Sequence, residues 1–571
     1  MPTFAEILSV RLRPAVADIA PADFAPEIVI CDPRFGDYQA NAAMVLAKQL
    51  KKNPRELAAA ILAKLQVEDI CEPPKVEGAG FINFKLRPEV LAAHTKEILA
   101  DDRLGVALVK PKTIVIDFSA PNVAKPMHIG HIRSSFIGDC ISRIARFLGH
   151  NVITDNHIGD WGTQFGKIIY GWKNLLNKEA LEKHPIEELV RLYREINERE
   201  KTDPALADAC RAELVKLQQG DAENLVIWKQ AVAASWREFD RMYALLDITF
   251  DEKLGESFYN DRLAPLVEKL QKQGIAEISE GAVCVFFRDV PDMPDEPSII
   301  RKRDGGFLYA TTDLATLEYR TEKWNPDSIW YVTGAPQQLH FRQVFEIGRR
   351  LGIRADLRHI AFGSILGEDR KMMKTRSGDN VSLADVLAEA QERALAIVSE
   401  KNPDLPAAEK ESIARTIGIG AVKYADLSQH RMTDYVFSWE KMLSFQGNTA
   451  PYLQNAYVRI QSIFRKLETP WSSDQAQKAT ITLSHDAERK LALHLVRFGE
   501  ILPQVLDDCR PNLLANYLFE LANAFHAFYE HCPVLKSEAE VRQSRLALCD
   551  LSARVMKQGL ALMGISVPEK M

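Results

Sequence analysis

The chain has 571 residues, 46% of them hydrophobic and 26% charged, enough for three or four ordinary domains with apolar cores. A formal net charge of −6 excludes an indiscriminate binder of polyanions, although a local basic surface still admits RNA. The eight cysteines are dispersed, with no Cys-x-x-Cys pair and no Cys/His cluster. This argues against a structural zinc site or a disulfide framework and for reduced thiols in a cytoplasmic protein.

In chain order, residues 1–95 read as a small α+β unit. Phe4, Ile7, Leu8 and Leu12 recur at helical spacing, a second helical stretch covers Ala42–Leu46, and Gly78–Leu86 alternates at period two like a half-buried strand. The N-terminus lacks the long apolar run of a secretory signal, and no apolar run reaches bilayer length, so a soluble protein with no membrane partner is expected. Near residue 112 the texture changes. Thr113–Phe118 is a short apolar run suited to a buried parallel strand, and a loop, Ser119–Asn122, follows. Ile129, Ile132, Phe136, Ile137, Ile141, Ile144 and Leu148 then space as an amphipathic helix that stops at Gly149, and Asn151–Thr154 restarts a strand. Strand, helix, strand is a βαβ unit, and its first loop lies where open α/β sheets bind ligands.

Residues 167–300 read as a mostly helical insertion between two halves of that sheet. The α/β texture resumes at Gly306–Tyr309, with a helix through Leu314 and Leu317, a strand at Ser328–Val332, a helix from Phe341 to about Leu351 and a strand at His359–Phe362. From about residue 381 the pattern is almost wholly helical, as in an all-α bundle. The expected division is 1–95, 96–380 with the insertion inside it, a helical connector 381–440, and a helical domain 441–571.

No Walker A sequence is present, since Gly162–Lys167 is one residue too short between its glycines. The loop Pro121, Asn122, Val123, Ala124, Lys125, Pro126, Met127, His128, Ile129, Gly130, His131 offers another way to hold a triphosphate. His128 and His131, three apart at a helix start, share a face, and Gly130 leaves room for a flat ring against the backbone. Free backbone N–H groups at the helix start and the charge of Lys125 favour an anion. Taken alone, such a pair is more often surface or core. The second candidate is Arg370–Arg376, which packs four cations into seven positions just after a strand. Such a run is commonly a solvated loop. Its functional reading is a lid whose Lys371 and Lys374 neutralise charge on phosphates.

His128-Ile129-Gly130-His131 is the His-Ile-Gly-His signature of class I aminoacyl-tRNA synthetases, and Lys371-Met372-Met373-Lys374-Thr375 resembles their Lys-Met-Ser-Lys-Ser loop. Three longer stretches, 118–134, 157–166 and 447–460, resemble the arginyl-tRNA synthetases in particular, and the resemblance spans essentially the whole chain. It implies a Rossmann-like parallel-sheet catalytic domain between an N-terminal α+β tRNA-contacting domain and a C-terminal all-α anticodon-binding bundle. It also implies a monomeric arginine–tRNA ligase that uses ATP with Mg²⁺, L-arginine and tRNA(Arg), without zinc.

Carried over by resemblance, Asp117, Tyr309 and Asp313 grip the guanidinium, Asn122 contacts the backbone end of the amino acid, and Gln337 makes a further contact. Electrostatics agrees, because a planar cation needs carboxylates in reach. Each residue also has a bland reading: Asp117 as a loop cap, Asp313 as a carboxylate at a helix N-terminus, Tyr309 as strand packing. The loop of His157, Asp160 and Trp161 is expected to shape the site, and Cys140 to belong to the core. For RNA, Tyr457, Arg459 and Arg465, and later Tyr517, Phe525, Phe528 and Tyr529, are available, although most of the second group recurs at core spacing. Two departures stand out: Met373 replaces a serine of the lid signature, and Pro336 stands where an acidic residue is common. A class I enzyme for cysteine, a non-catalytic RNA-binding paralogue and a small nucleotidyltransferase stay open as alternatives at this point.

Overall fold

The computed structural model describes residues 1–373 and 381–571. The chain forms two compact units: one comprises Met1–Val109, Lys401–Gly420 and Leu443–Met571, the other Lys110–Glu400 and Ala421–Met442.

In the first unit, the helix Phe4–Val16 starts at Thr3 in a reciprocal capping box with Glu6. Strands β1 (Ile28–Ile30), β2 (Tyr38–Ala40), β3 (Lys75–Glu77) and β4 (Phe81–Phe84) form an antiparallel sheet in the order β1-β2-β4-β3. The period-two reading of β4 meets a correction, since Ile82, Asn83 and Phe84 are all buried. The C-terminal helices of the same unit clasp this sheet. Tyr38 donates from its hydroxyl to Glu500, and Asp37 accepts from Arg489. Those helices include Ala450–Arg465, Asp486–Val496, Pro511–His531 and Ala539–Leu562, with Tyr457, Tyr517, Phe525 and Phe528 in their core.

In the second unit, β5 (Thr113–Asp117) and β6 (Asn151–Asp155) form one half of a parallel sheet. Between the halves lie helices from Gln164 to Lys272 and three short strands, β7 (Glu277–Ser279), β8 (Ala282–Val285) and β9 (Ser298–Arg301). These strands pair antiparallel in the order β7-β8-β9, a sheet that the helical texture of 167–300 did not announce. β10 (Ser328–Tyr331) and β11 (Asp356–His359) complete the parallel sheet, in the order β11-β10-β5-β6. β10 lies beside β5, so the crossovers leave in opposite directions there, the switch point outside whose carboxyl ends open α/β sheets bind ligands. The expected strand at 359–362 begins earlier, at Asp356, because its pairing with Ser328–Tyr331 fixes the register. β12 (Ile365–Leu366) and β13 (Tyr435–Val436) make a last, short parallel pair.

The helix Ile132–Phe147 ends before Gly149, whose φ of +98° confirms the glycine stop. Among the described residues, no helix is long and apolar enough to cross a membrane.

Candidate active site

The loop leaving β5 is held in an unusual backbone. Ser119, Ala120 and Ala124, none of them glycine, have φ of +74°, +46° and +58°. Left-handed conformations cost such residues free energy and persist only where the surroundings impose them. The surroundings here are the second loop, after β6. Ala120 N–H donates to Asn156 Oδ1 at 3.1 Å, Val123 N–H to Gly159 O at 3.1 Å, and Gly159 N–H to Pro121 O at 3.2 Å. A Cβ at Gly159 would meet Asn122 Oδ1 at 2.4 Å, so only glycine lets this amide lie across the loop.

His128 and His131 are brought together with ring centroids 3.9 Å apart. The His128 N–H donates to His131 Nδ1 at 3.1 Å, and the Gly130 N–H to His128 Nδ1 at 3.1 Å. Both Nδ1 atoms therefore accept, which leaves each neutral ring its proton on Nε2. Burial pushes His131 down to about 3 and lowers His128, helped by Lys125. The pair thus acts as neutral hydrogen-bond donors near pH 7.

One expectation is corrected: the backbone N–H groups here are not free for an anion. Ile129 N–H donates to Val381 O and His131 N–H to His128 O, while that of Gly130 is taken as above. Gly130 has a definite steric task, because a Cβ there would meet Nδ1 and Cε1 of His128 at 2.9 Å. Lys125 is exposed, its ammonium 5.3 Å above the Tyr193 ring. Lys371 is exposed in a turn after β12, where Gly367 N–H donates to Lys371 O at 2.8 Å. Lys374 lies outside the described residues.

On the other side of the sheet's switch point, Tyr309 and Asp313 open the helix Tyr309–Trp324. Tyr309 is 71% exposed, which removes the strand-packing reading. Asp313 Oδ2 lies 2.6 Å from His340 Nε2 on the next helix. Gln337 is exposed at the end of a 3₁₀ turn, Ala335–Gln337.

The structure adds Glu256, which sequence reasoning passed over. Burial and repulsion from Asp313 and Asp160 push its carboxyl up to about 8. Glu256 in turn raises the Tyr309 phenol, after burial. Asp160 fixes the turn that carries Glu256, accepting from Ser257 N–H at 2.8 Å and Ser257 Oγ–H at 2.7 Å. A Cβ at Gly255 would strike the Asp160 carboxylate at 2.4 Å. The available signal was the Gly255-Glu256-Ser257 turn, which the helical reading of the insertion absorbed.

Asp117 is not brought onto the same open surface as Asp313. Its Oδ2 accepts from Arg320 at 2.6 Å, and both side chains are buried. An internal guanidinium occupies the carboxylate that was expected to hold an external one.

Residues 94–439 match the family model for the catalytic domain of class I tRNA synthetases (R), residues 453–571 the DALR anticodon binding domain, and residues 4–86 the arginyl tRNA synthetase N-terminal domain. The chain is 46% identical to an arginine–tRNA ligase of Cellvibrio japonicus, covering 99% of both. It is 43% identical to that of Chromobacterium violaceum, covering 100% of both. Among solved structures, the arginyl-tRNA synthetase of Plasmodium falciparum superposes with a TM-score of 0.86 at 29% identity, and that of Thermus thermophilus with 0.84 at 25%, each covering 100% of both chains. With all three regions matched in order and the paired histidines of the class in place, the chain belongs to the arginyl-tRNA synthetase family.

Proposed function

We infer that the protein is an arginine–tRNA ligase working in two steps. In the first, the carboxylate of L-arginine attacks the α-phosphorus of ATP, supplied as its Mg²⁺ complex, giving arginyl-adenylate and pyrophosphate. In the second, the 2′-hydroxyl of the terminal adenosine of tRNA(Arg) attacks the activated carbonyl and AMP leaves. The observation that carries the amino-acid choice is the Glu256–Asp313 cluster beside Tyr309, two carboxyl groups whose mutual repulsion a bound cation relieves.

In this reading Asp313, Glu256 and Tyr309 receive the guanidinium, while Asn122 and Gln337 orient the rest of the amino acid. A fork of charge-assisted bonds excludes citrulline by charge and lysine by shape. The Nε2–H groups of His128 and His131 donate to phosphate oxygen over the open face of Gly130. Lys125, Lys371 and Lys374 neutralise the charge that develops as pyrophosphate departs. No general base is required, since the nucleophile of the first step is already an anion. Positioning and charge stabilisation supply the acceleration.

The anticodon surface is assigned to exposed groups on Ala450–Arg465 and Pro511–His531. Arg459 lies 5.7 Å over the Tyr529 ring and 3.2 Å from His526 Nδ1, and the Tyr452 ring adjoins His526 at 5.2 Å. Stacking rings beside a cation suit an unstacked base. The N-terminal unit contacts the outer corner of the tRNA, activation requires bound tRNA, and the enzyme works in the cytoplasm as a monomer.

The decisive assay is arginine-dependent ATP–pyrophosphate exchange, with and without tRNA(Arg). Exchange with arginine and tRNA together is the expected outcome. Silence in both conditions from folded protein overturns the reading in favour of an RNA-binding paralogue.

A further inference from the structure

Arg320 is fully buried, yet it carries a charge between two carboxylates. Its Nη2 donates to Asp117 Oδ2 at 2.6 Å and to Asp155 Oδ2 at 2.8 Å. Its guanidinium lies 5.3 Å from the Tyr331 ring centroid. The sheet register explains the convergence, since Tyr331 pairs with Asp117 and Asp117 with Asp155. Partners in parallel register face the same way, so these three end residues of β10, β5 and β6 present a row to the overlying helix.

We propose that Arg320 is a positioning residue that sets the relative placement of the walls of the arginine pocket, with Asp117 as its anchor rather than a ligand of the substrate. The proposal rests on the arginine pocket of the preceding section. Three connections carry it. Arg320 lies seven residues after Asp313 on the helix Tyr309–Trp324. Two helical turns separate them, which puts both on one stripe, so the contact that seats Arg320 on the sheet also fixes Asp313 and Tyr309 above it. Asp117 ends β5 and feeds directly into the strained loop that bears Asn122 and the histidines. Asp155 Oδ1 accepts from Leu254 N–H at 3.3 Å, two residues before Glu256. One guanidinium nitrogen is therefore common to the supports of Asp313, of Asn122 and of Glu256.

Charge adds a second effect. Burial raises the Asp117 carboxyl, and the Arg320 charge opposes that rise, so the cation helps keep its anchor ionised. Arginine suits this position because it stays charged when buried, and its Nη2 alone donates to both carboxylates. Lysine is shorter and loses its charge more readily when buried.

The test uses the full-length protein with tRNA(Arg) in ATP–pyrophosphate exchange, comparing wild type, Arg320→Lys and Asp155→Asn. A residue that misplaces pocket walls by about 1 Å changes rates by up to about a hundredfold. For Arg320→Lys the expected result is an arginine KM raised at least about tenfold, with the ATP KM within about twofold. Asp155→Asn keeps the Asp117 arm and an oxygen for the Leu254 N–H but turns an NH₂ donor towards Arg320, and raises the arginine KM by several-fold in the same selective way. Equal shifts in both KM values, or an unchanged arginine KM in Asp155→Asn, overturn the positioning role, and Asp155→Asn decides alone if Arg320→Lys does not fold. A wild-type protein without arginine-dependent exchange overturns the pocket itself. An active wild type with unaltered variants overturns only the role of Arg320.

Discussion

Replacing Glu256 by glutamine removes a charge at nearly constant volume and isolates what that carboxylate contributes. With its carboxyl held up at about 8, roughly one molecule in ten has Glu256 ionised at pH 7 and one in a hundred at pH 6. A guanidinium binds the ionised form, so arginine binding draws a proton off Glu256. The apparent affinity for arginine should then rise about tenfold from pH 6 to 7, about fivefold from 7 to 8, and level off beyond. At pH 7 the ionisation costs about 1.4 kcal/mol, against about 1.5–3 kcal/mol for a hydrogen bond to a charged partner. Glu256→Gln should therefore weaken arginine binding only modestly at pH 7 and more at pH 8, and should abolish the pH slope. Calorimetric titration of arginine in buffers of different ionisation enthalpy, between pH 6 and 8.5, reads both affinity and proton release. A wild-type affinity flat across that range, or a Glu256→Gln variant that keeps the slope, refutes the argument. Stability gives an independent check on the arginine-free protein. The folded carboxyl titrates at about 8, above its ordinary 4.5. The folded state therefore holds the extra proton, and its contribution is complete below about pH 4.5 and lost as pH rises through 8. Wild type should lose melting temperature over that window relative to Glu256→Gln.

Asp313→Ala should raise the arginine KM far more than the ATP KM in exchange assays, and equal effects would make Asp313 a structural partner of His340. Gly130→Ala forces a Cβ to 2.9 Å from the His128 ring and should weaken ATP use with little change in the arginine KM. Gly159→Ala displaces the Asn122 amide, met at 2.4 Å, and should slow adenylate formation while the melting temperature falls only slightly. Arg459→Ala should raise the KM for tRNA(Arg) in aminoacylation and leave the arginine KM within about twofold, as loss of one stacking or cationic contact worth about 1–3 kcal/mol implies.

The sequence by itself determined the features that rest on neighbours a few residues apart. The apolar run of β5, the helical stripe from Ile132, its stop at Gly149 and the two histidines on one face all follow from periodicity and capping, which act within one or two turns. It also determined the kind of chemistry, because the paired histidines and the basic loop are contiguous segments. Tertiary structure decided what each carboxylate does. Asp117 and Arg320 are 203 residues apart, and Asp160 and Ser257 97 apart, and no local pattern encodes such pairings. The sequence shows that Asp117 ends a strand, but only the packing of the helix Tyr309–Trp324 across the sheet puts an internal guanidinium on it. Glu256 sits in an unremarkable polar turn until folding half-buries it near the charges of Asp313 and Asp160. The backbone N–H groups at the histidine loop would serve a phosphate in an isolated helix, and here the Val381 carbonyl, the His128 carbonyl and the histidine rings satisfy them first. Spacing along the chain sets which groups can share a face. Desolvation and the identity of distant partners, which exist only in the folded molecule, set whether those groups are charged and what they hold.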